Sequence, residues 1–300
     1  MNQQLSKTRE LAELNTQVNA LLPARYQHCY SSVPAGSMGS ASLKYGADGR
    51  VLWDSIWTTF CDLALAGGPP HRGQLLEPVS EAEALSDTAR YEGVVAETRR
   101  AIALTAELPT APGSAPGWLG VQCESTGHAA WLQLAVTAEN VSARRRADVL
   151  QLPAGPAFRV EKEIKNVVVA LAKSHHYWDG HLSEVQQTLG EGDLWEPAAA
   201  WEADTPEHRA TLDGITQRIR ALEMQVDPSR YAGWIGVETA DEAVAVWLLR
   251  AVLINRLLAR REGATLYLPV GGAMSTVQAD RLVDSLARAW RLHGEATARD

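Results

Sequence analysis

A chain of 300 residues that is 46% hydrophobic and 21% charged has the composition of a globular protein. It is long enough to bury roughly 75% of the surface its unfolded form exposes. A formal charge of -8 excludes a general nucleic-acid binder, which needs a basic face. No apolar run approaches the roughly 20 residues a bilayer-spanning helix requires, so no membrane partner is expected.

Leu11, Leu14, Val18, Leu21 and Leu22 recur at helical spacing, which predicts a helical segment over 1–30 that docks on the protein body or on another subunit. This stretch lacks the core of a signal peptide. Cys29, Cys61 and Cys123 are widely spaced with no CxxC pair, and a reducing cytosol suits them. Ser31 to Ser42 is small and glycine-rich, able to wrap a ligand but without GxGxxG or P-loop lysine spacing.

The strongest signal lies further on. Gly117 to Ala157 recurs without a gap as Gly233 to Ala273, with 17 of 41 positions identical. Each copy is expected to give a strand (Trp118 to Cys123; Trp234 to Thr239), then a long helix through Arg145 or Arg261. A second strand follows (Val149 to Leu152; Thr265 to Leu268), closed by Pro153 or Pro269, and then another helix near Arg159 or Ser275. Arg144 to Arg146, with Arg260 and Arg261, are placed at helix C-termini, where cations meet the negative end of the macrodipole. Helices are also expected near Tyr91 to Ala106 and near His208 to Gln225.

A third, degenerate copy is expected ahead of these. Ser42 to Tyr45 would supply its first strand, and residues 53–78, with Trp57 and Pro78, would supply helix, turn and second strand. The predicted fold class is therefore α/β: β-α-β-α repeats whose crossovers build a mostly parallel sheet covered by helices. The domain reading is a helical segment 1–30, a degenerate repeat 31–110, a second repeat 111–178, an acidic Gly/Pro-rich linker or insert 179–212, and a third repeat 213–300, all within reach of one compact body.

Chemistry is sought where the copies diverge. The helix of 159–178 carries Glu161, Glu163, Lys165, Asn166, Lys173, His175 and His176; its counterpart has Val277, Ala279, Arg281, Leu282, Ala289, Arg291 and Leu292. If the strands are parallel, Cys123, Glu124 and Gly155 share the carboxyl end of the sheet, where ligands bind in such folds. There Glu124 or His176 would act as acid or base, Lys165 would neutralise substrate charge, and Gly155 would offer backbone N–H groups. Cys123 is a weaker candidate nucleophile. The loop GGPPHRG (67–73) caps a helix through Gly67 or Gly68 and presents His71 and Arg72 in a stiff turn; the parallel arrangement puts it at the opposite sheet end, bridged only by a neighbouring subunit.

The expected function is a cytosolic enzyme acting on a small anionic metabolite or cofactor precursor, its cofactor and reaction class unknown, with a homo-oligomer left open. Two alternatives stand beside it: a carrier of a metal or aromatic cofactor, and an assembly scaffold. The histidine run from His175 to His181 invites a metal, but adjacent helical histidines point about 100° apart, so no metal ligand set is assigned. Ten Trp residues, matched in part between copies (Trp118 with Trp234, Trp131 with Trp247), are read as repeated core packing ahead of an aromatic ligand cage.

Overall fold

The computed structural model describes residues 2–22, 43–56, 63–189 and 194–297. Trp57, Cys29, Cys61 and the segment Ser31 to Ser42 lie outside the described residues. The described chain falls into two compact units. The middle unit holds 43–56, 63–64 and 68–189; the C-terminal unit holds 2–22, 65–67 and 194–297.

After α1 (Asn2–Leu21), which belongs to the C-terminal unit, the middle unit runs α2 (Glu81–Ser86), α3 (Thr88–Thr105), β1 (Thr110–Ala111), β2 (Trp118–Gln122), α4 (Thr126–Ala138), β3 (Arg144–Arg146), β4 (Val149–Pro153), α5 (Lys165–His181) and α6 (Glu184–Leu189). The C-terminal unit continues with α7 (Ala200–Ala203), α8 (Pro206–Arg220), β5 (Val226–Asp227), β6 (Trp234–Glu238), α9 (Glu242–Leu253), β7 (Arg260–Glu262), β8 (Thr265–Pro269) and α10 (Thr276–Thr297).

Local chemistry starts these helices where the sequence supplies a cap. Asp87 accepts the Arg90 N–H for α3, Ser125 the His128 N–H for α4, and Asp241 the Val244 N–H for α9. Thr205 caps α8, with Pro206 in its first turn. Such a cap contributes about 1 kcal/mol; burial contributes more. Leu119, Val121, Leu150 and Leu152 are all almost completely buried, and each adds about 1.5–3 kcal/mol on leaving water.

Both sheets are antiparallel throughout, in the orders β1-β2-β4-β3 and β5-β6-β8-β7. This overturns the mostly parallel sheet expected from the strand–helix–strand pattern. The cause is local. Residues Arg144–Arg146 and Arg260–Glu262 are strands, not helix ends, and a two-residue turn returns each into its partner. That hairpin reverses the incoming direction, so β4 meets β2 antiparallel, with Trp118 opposite Pro153 and Gln122 opposite Val149. The turn needs left-handed backbone, found at Ala147 (φ 52°) and at Gly263 (φ 56°).

Among the described residues there is no third sheet. Residues 43–66 give a Tyr45–Val51 bridge and short 3-10 turns at Trp53–Ser55 and Ala64–Ala66. The stretch beginning LLEPV (75–79) instead opens the part of the middle unit that the C-terminal unit repeats. Leu76 makes a parallel bridge to Val141, and Trp195, within LWEPA (194–198), makes the corresponding bridge to Leu257. A short helix and a long helix then follow in both units (α2 and α3; α7 and α8). Left-handed residues also fall at matching places: Glu107 with Glu223, Gly117 with Gly233, Asn140 with Arg256, Ala147 with Gly263.

Candidate functional site

The middle unit carries its polar groups inside. At the C-terminal end of α4, Glu139 and Lys173 form an ion pair of 2.7 Å with both side chains sealed from solvent. Lys173 leaves the second half of α5 and reaches back, as helical side chains tilt toward the N-terminus. Burying two charges costs several kcal/mol before their attraction is counted, so such a pair is weak evidence for stability alone. Its visible work is to hold a loop. Glu139 Oε1 accepts the Ala64 N–H and Oε2 accepts the His71 N–H, both at 2.8 Å. The Glu139 carbonyl accepts the Arg72 N–H at 3.3 Å, and Asn140 Nδ2 donates to the Arg72 carbonyl at 2.8 Å. Gly67 is left-handed (φ 100°) and the Gly68 N–H donates to Leu63 O at 3.0 Å, which closes the turn that starts the loop.

The GGPPHRG loop therefore lies on α5, beside residues the sequence had singled out. His71 meets Asn166 through a side-chain hydrogen bond and feels the charges of Lys173, Lys165 and Arg72. Burial first, and those cations second, hold its imidazole neutral, with a pKa pushed down to about 3. Its Nδ1 is buried and finds no hydrogen-bond partner among the described residues. Lys165 is half-buried and desolvation lowers its pKa. A π-helical turn, Val160–Ile164, leads into this part of α5; such turns are rare and frequent at functional sites.

The remaining sequence-selected residues lie elsewhere, because an antiparallel sheet separates what a parallel one would unite. Cys123 N–H donates to Asp148 O at one end of the β2–β4 pair, and Ala154 N–H to Gly117 O at the other. Cys123 and Glu124 thus sit at the opposite sheet end from Gly155. Gly155 is buried, and a Cβ there would meet Val79 Cγ1 at 2.6 Å and the Phe158 ring at 3.1 Å, so close packing occupies the space an anion would need. The Cys123 thiol is buried and pushed up to about 12, far from a thiolate at neutral pH. His176 is eleven residues beyond Lys165 on α5, about 16 Å along the axis, and cannot share one small ligand with it.

At that far end lies a group the sequence reading passed over. His128, fully buried, stacks between His175 and Trp178, with ring centroids 5.0 and 4.8 Å away. Glu124 N–H reaches His128 Nδ1 at 3.3 Å, and His128 Nε2 lies 3.2 Å from His175 Nδ1. A backbone N–H can only donate, so His128 carries its proton on Nε2 and passes it toward His175. Burial pushes the His128 pKa down to about 3. The Glu124 carboxylate is 3.8 Å from His128 and mostly exposed. His128 and Glu139 both diverge between the copies, as α5 does, since the other copy has Val244 and Asn255 there.

In the C-terminal unit, aromatic rings that include Trp234 pack around a buried arginine. Arg260 is fully buried with its guanidinium 4.1 Å from the Tyr267 ring, 4.5 Å from Tyr231 and 5.0 Å from Trp234. Glu262 pairs with it at 2.7 Å. The middle unit repeats the motif in reduced form, with Arg144 4.0 Å over Trp118. This aromatic box is filled by the protein's own arginine.

No family model and no curated protein matches the chain. Among solved structures, a serine palmitoyltransferase from S. paucimobilis with bound PLP aligns at a TM-score of 0.27 and 11% identity, over 49% of this chain and 37% of that one. The Sphingomonas wittichii serine palmitoyltransferase aligns at a TM-score of 0.24 and 16% identity, over 49% and 37% of the two chains. The alignment thus spans little more than a third of those proteins, and likeness at this level carries no argument about fold or activity. No helix among the described residues is long and apolar enough to cross a membrane.

Proposed function

We propose that the protein binds and acts on a small anionic metabolite, in a reducing cytosol, at the corner where the 67–73 loop meets the first turns of α5. Lys165, His71 and Asn166 are the groups that meet it, with Arg72 adding positive charge from the loop. The observation that carries this reading is His71: its imidazole stands in the field of three cations, its Nδ1 buried and without a hydrogen-bond partner among the described residues. Glu139 pairs with Lys173 at 2.7 Å. An anion entering the corner would meet the positive field that acts on His71 and accept from Lys165 and Asn166. It would also raise the proton affinity of His71. Glu139 and Asn140 serve as positioning residues: they hold the loop against α5 without themselves facing the ligand.

Isothermal titration of the full chain with inorganic phosphate and with succinate tests this. Saturable binding of one of them is expected, weakened about tenfold or more by Lys165→Ala, which is about 1.4 kcal/mol. Arg281→Ala, the matching position of the other copy, should leave it unchanged. Equal binding by wild type and Lys165→Ala, or no binding of either anion, would remove the proposal.

A further inference from the structure

The far end of α5 holds a second pair of imidazoles with a different geometry from the His128–His175 contact. His176 Nε2 and His181 Nε2 approach to 3.2 Å, their rings 5.0 Å apart between centroids and inclined at 72°. We infer that His176 and His181 form a two-imidazole clamp for a divalent transition-metal ion of the Zn2+ type. The two nitrogens are within hydrogen-bond distance of each other, and two imidazole nitrogens each about 2.0–2.1 Å from a tetrahedral Zn2+ stand about 3.3 Å apart, so an ion could replace the shared proton with little movement of the rings.

Three further features favour a cation here. Tyr177 lies against both rings, 5.9 Å from His176 and 5.0 Å from His181, and restrains their orientation. The Asp179 carboxylate lies near enough to His176 to add negative charge beside the pair. The pair also sits in the last turns of α5, where the helix macrodipole is negative. By contrast, the Glu124 N–H sets the tautomers of His128 and His175, and that pair is engaged as a hydrogen bond in the interior. No group of three or more His, Cys, Asp or Glu side chains suited to a metal occurs among the described residues, so water or an outside ligand would complete the coordination. The ion would be exchangeable and the site open. It stands about 16 Å along α5 from Lys165 and does not depend on the anion proposal.

Equilibrium dialysis of the tag-free full chain against Zn2+ near pH 7.5, where imidazoles are neutral and able to ligate, tests the clamp. One ion per chain is expected for wild type, with affinity reduced about tenfold or more in His181→Ala and unchanged in Lys165→Ala. His181 is exposed, so its loss should leave the circular dichroism spectrum intact. In NMR spectra, Zn2+ should shift the ring signals of His176 and His181 together, ahead of those of His128. Stoichiometric binding that survives His181→Ala undiminished, or no stoichiometric binding by wild type, would overturn the inference.

Discussion

The middle and C-terminal units share strand order, strand register and left-handed turn positions, yet differ in what they bury. Between α4 and α5 the middle unit seals His128, Gln133, Thr137, Glu139 and Lys173, where the C-terminal unit has Val244, Leu249, Leu253, Asn255 and Ala289. The C-terminal unit buries charge on the sheet, in Arg260, Arg261 and Glu262, and on α9 at Arg250, which stands where the middle unit has Leu134. Backbone design is thus common to both, while polarity is placed separately in each. At these five positions the C-terminal unit has the less costly, largely apolar solution. A polar one that also anchors the GGPPHRG loop suggests a role beyond packing.

The largest expected break in this comparison comes from Glu139. Glu139→Ala leaves the Lys173 ammonium buried without its carboxylate and frees the loop, at a cost of about 3–5 kcal/mol in urea unfolding. The double change Glu139→Asn with Lys173→Ala, which installs the C-terminal unit's residues, should recover much of that loss. If Glu139→Ala costs no more than Asn255→Ala, the ion pair is not the anchor described.

Next in size is a pH effect. His128 has a folded pKa of about 3 against 6.5 for the free side chain. Between these values the unfolded chain takes a proton that the folded chain refuses. Its contribution is therefore fully present above about pH 6.5 and is lost as pH falls toward about 3, by about 1.4 kcal/mol per pH unit within the window. His128→Val, the residue of the other copy, should flatten the stability profile between about pH 4 and 6 by close to one proton. An unchanged slope would mean that His128 titrates normally.

The smallest effect concerns the hairpin turn that makes the sheets antiparallel. Ala147 occupies left-handed backbone where its counterpart is Gly263. Ala147→Gly should stabilise by about 0.5–1 kcal/mol and Gly263→Ala should destabilise by a similar amount, read from thermal unfolding. Opposite signs would show that the two turns are not equivalent.

Much of the element order was legible in the chain, because helix periodicity, caps and the Pro153/Pro269 stops are local signals. Strand direction was not, since it turned on one short strand. Arg144–Arg146 looks like a basic helix end by composition, and only the Gly263–Ala264 turn in the other copy hints at a hairpin. That one misreading moved the candidate site, placing Cys123, Glu124 and Gly155 together when the sheet sets them at opposite ends. His71, Arg72 and Lys165 were selected by residue type and by divergence between copies, and the structure brings them together without a second subunit. Glu139 differs from its counterpart Asn255 and so was open to selection by divergence, but its role depends on a loop nearly 70 residues earlier in sequence, and no local pattern announces such a contact.

The central claim is that the middle unit keeps a neutral imidazole in a cationic corner ready for an anion. NMR titration of the His71 ring with and without inorganic phosphate tests it most directly. The account predicts an imidazole that stays neutral down to about pH 3 in the free protein and whose pKa climbs when phosphate is added. A His71 ring that titrates near 6.5 and ignores phosphate would contradict it.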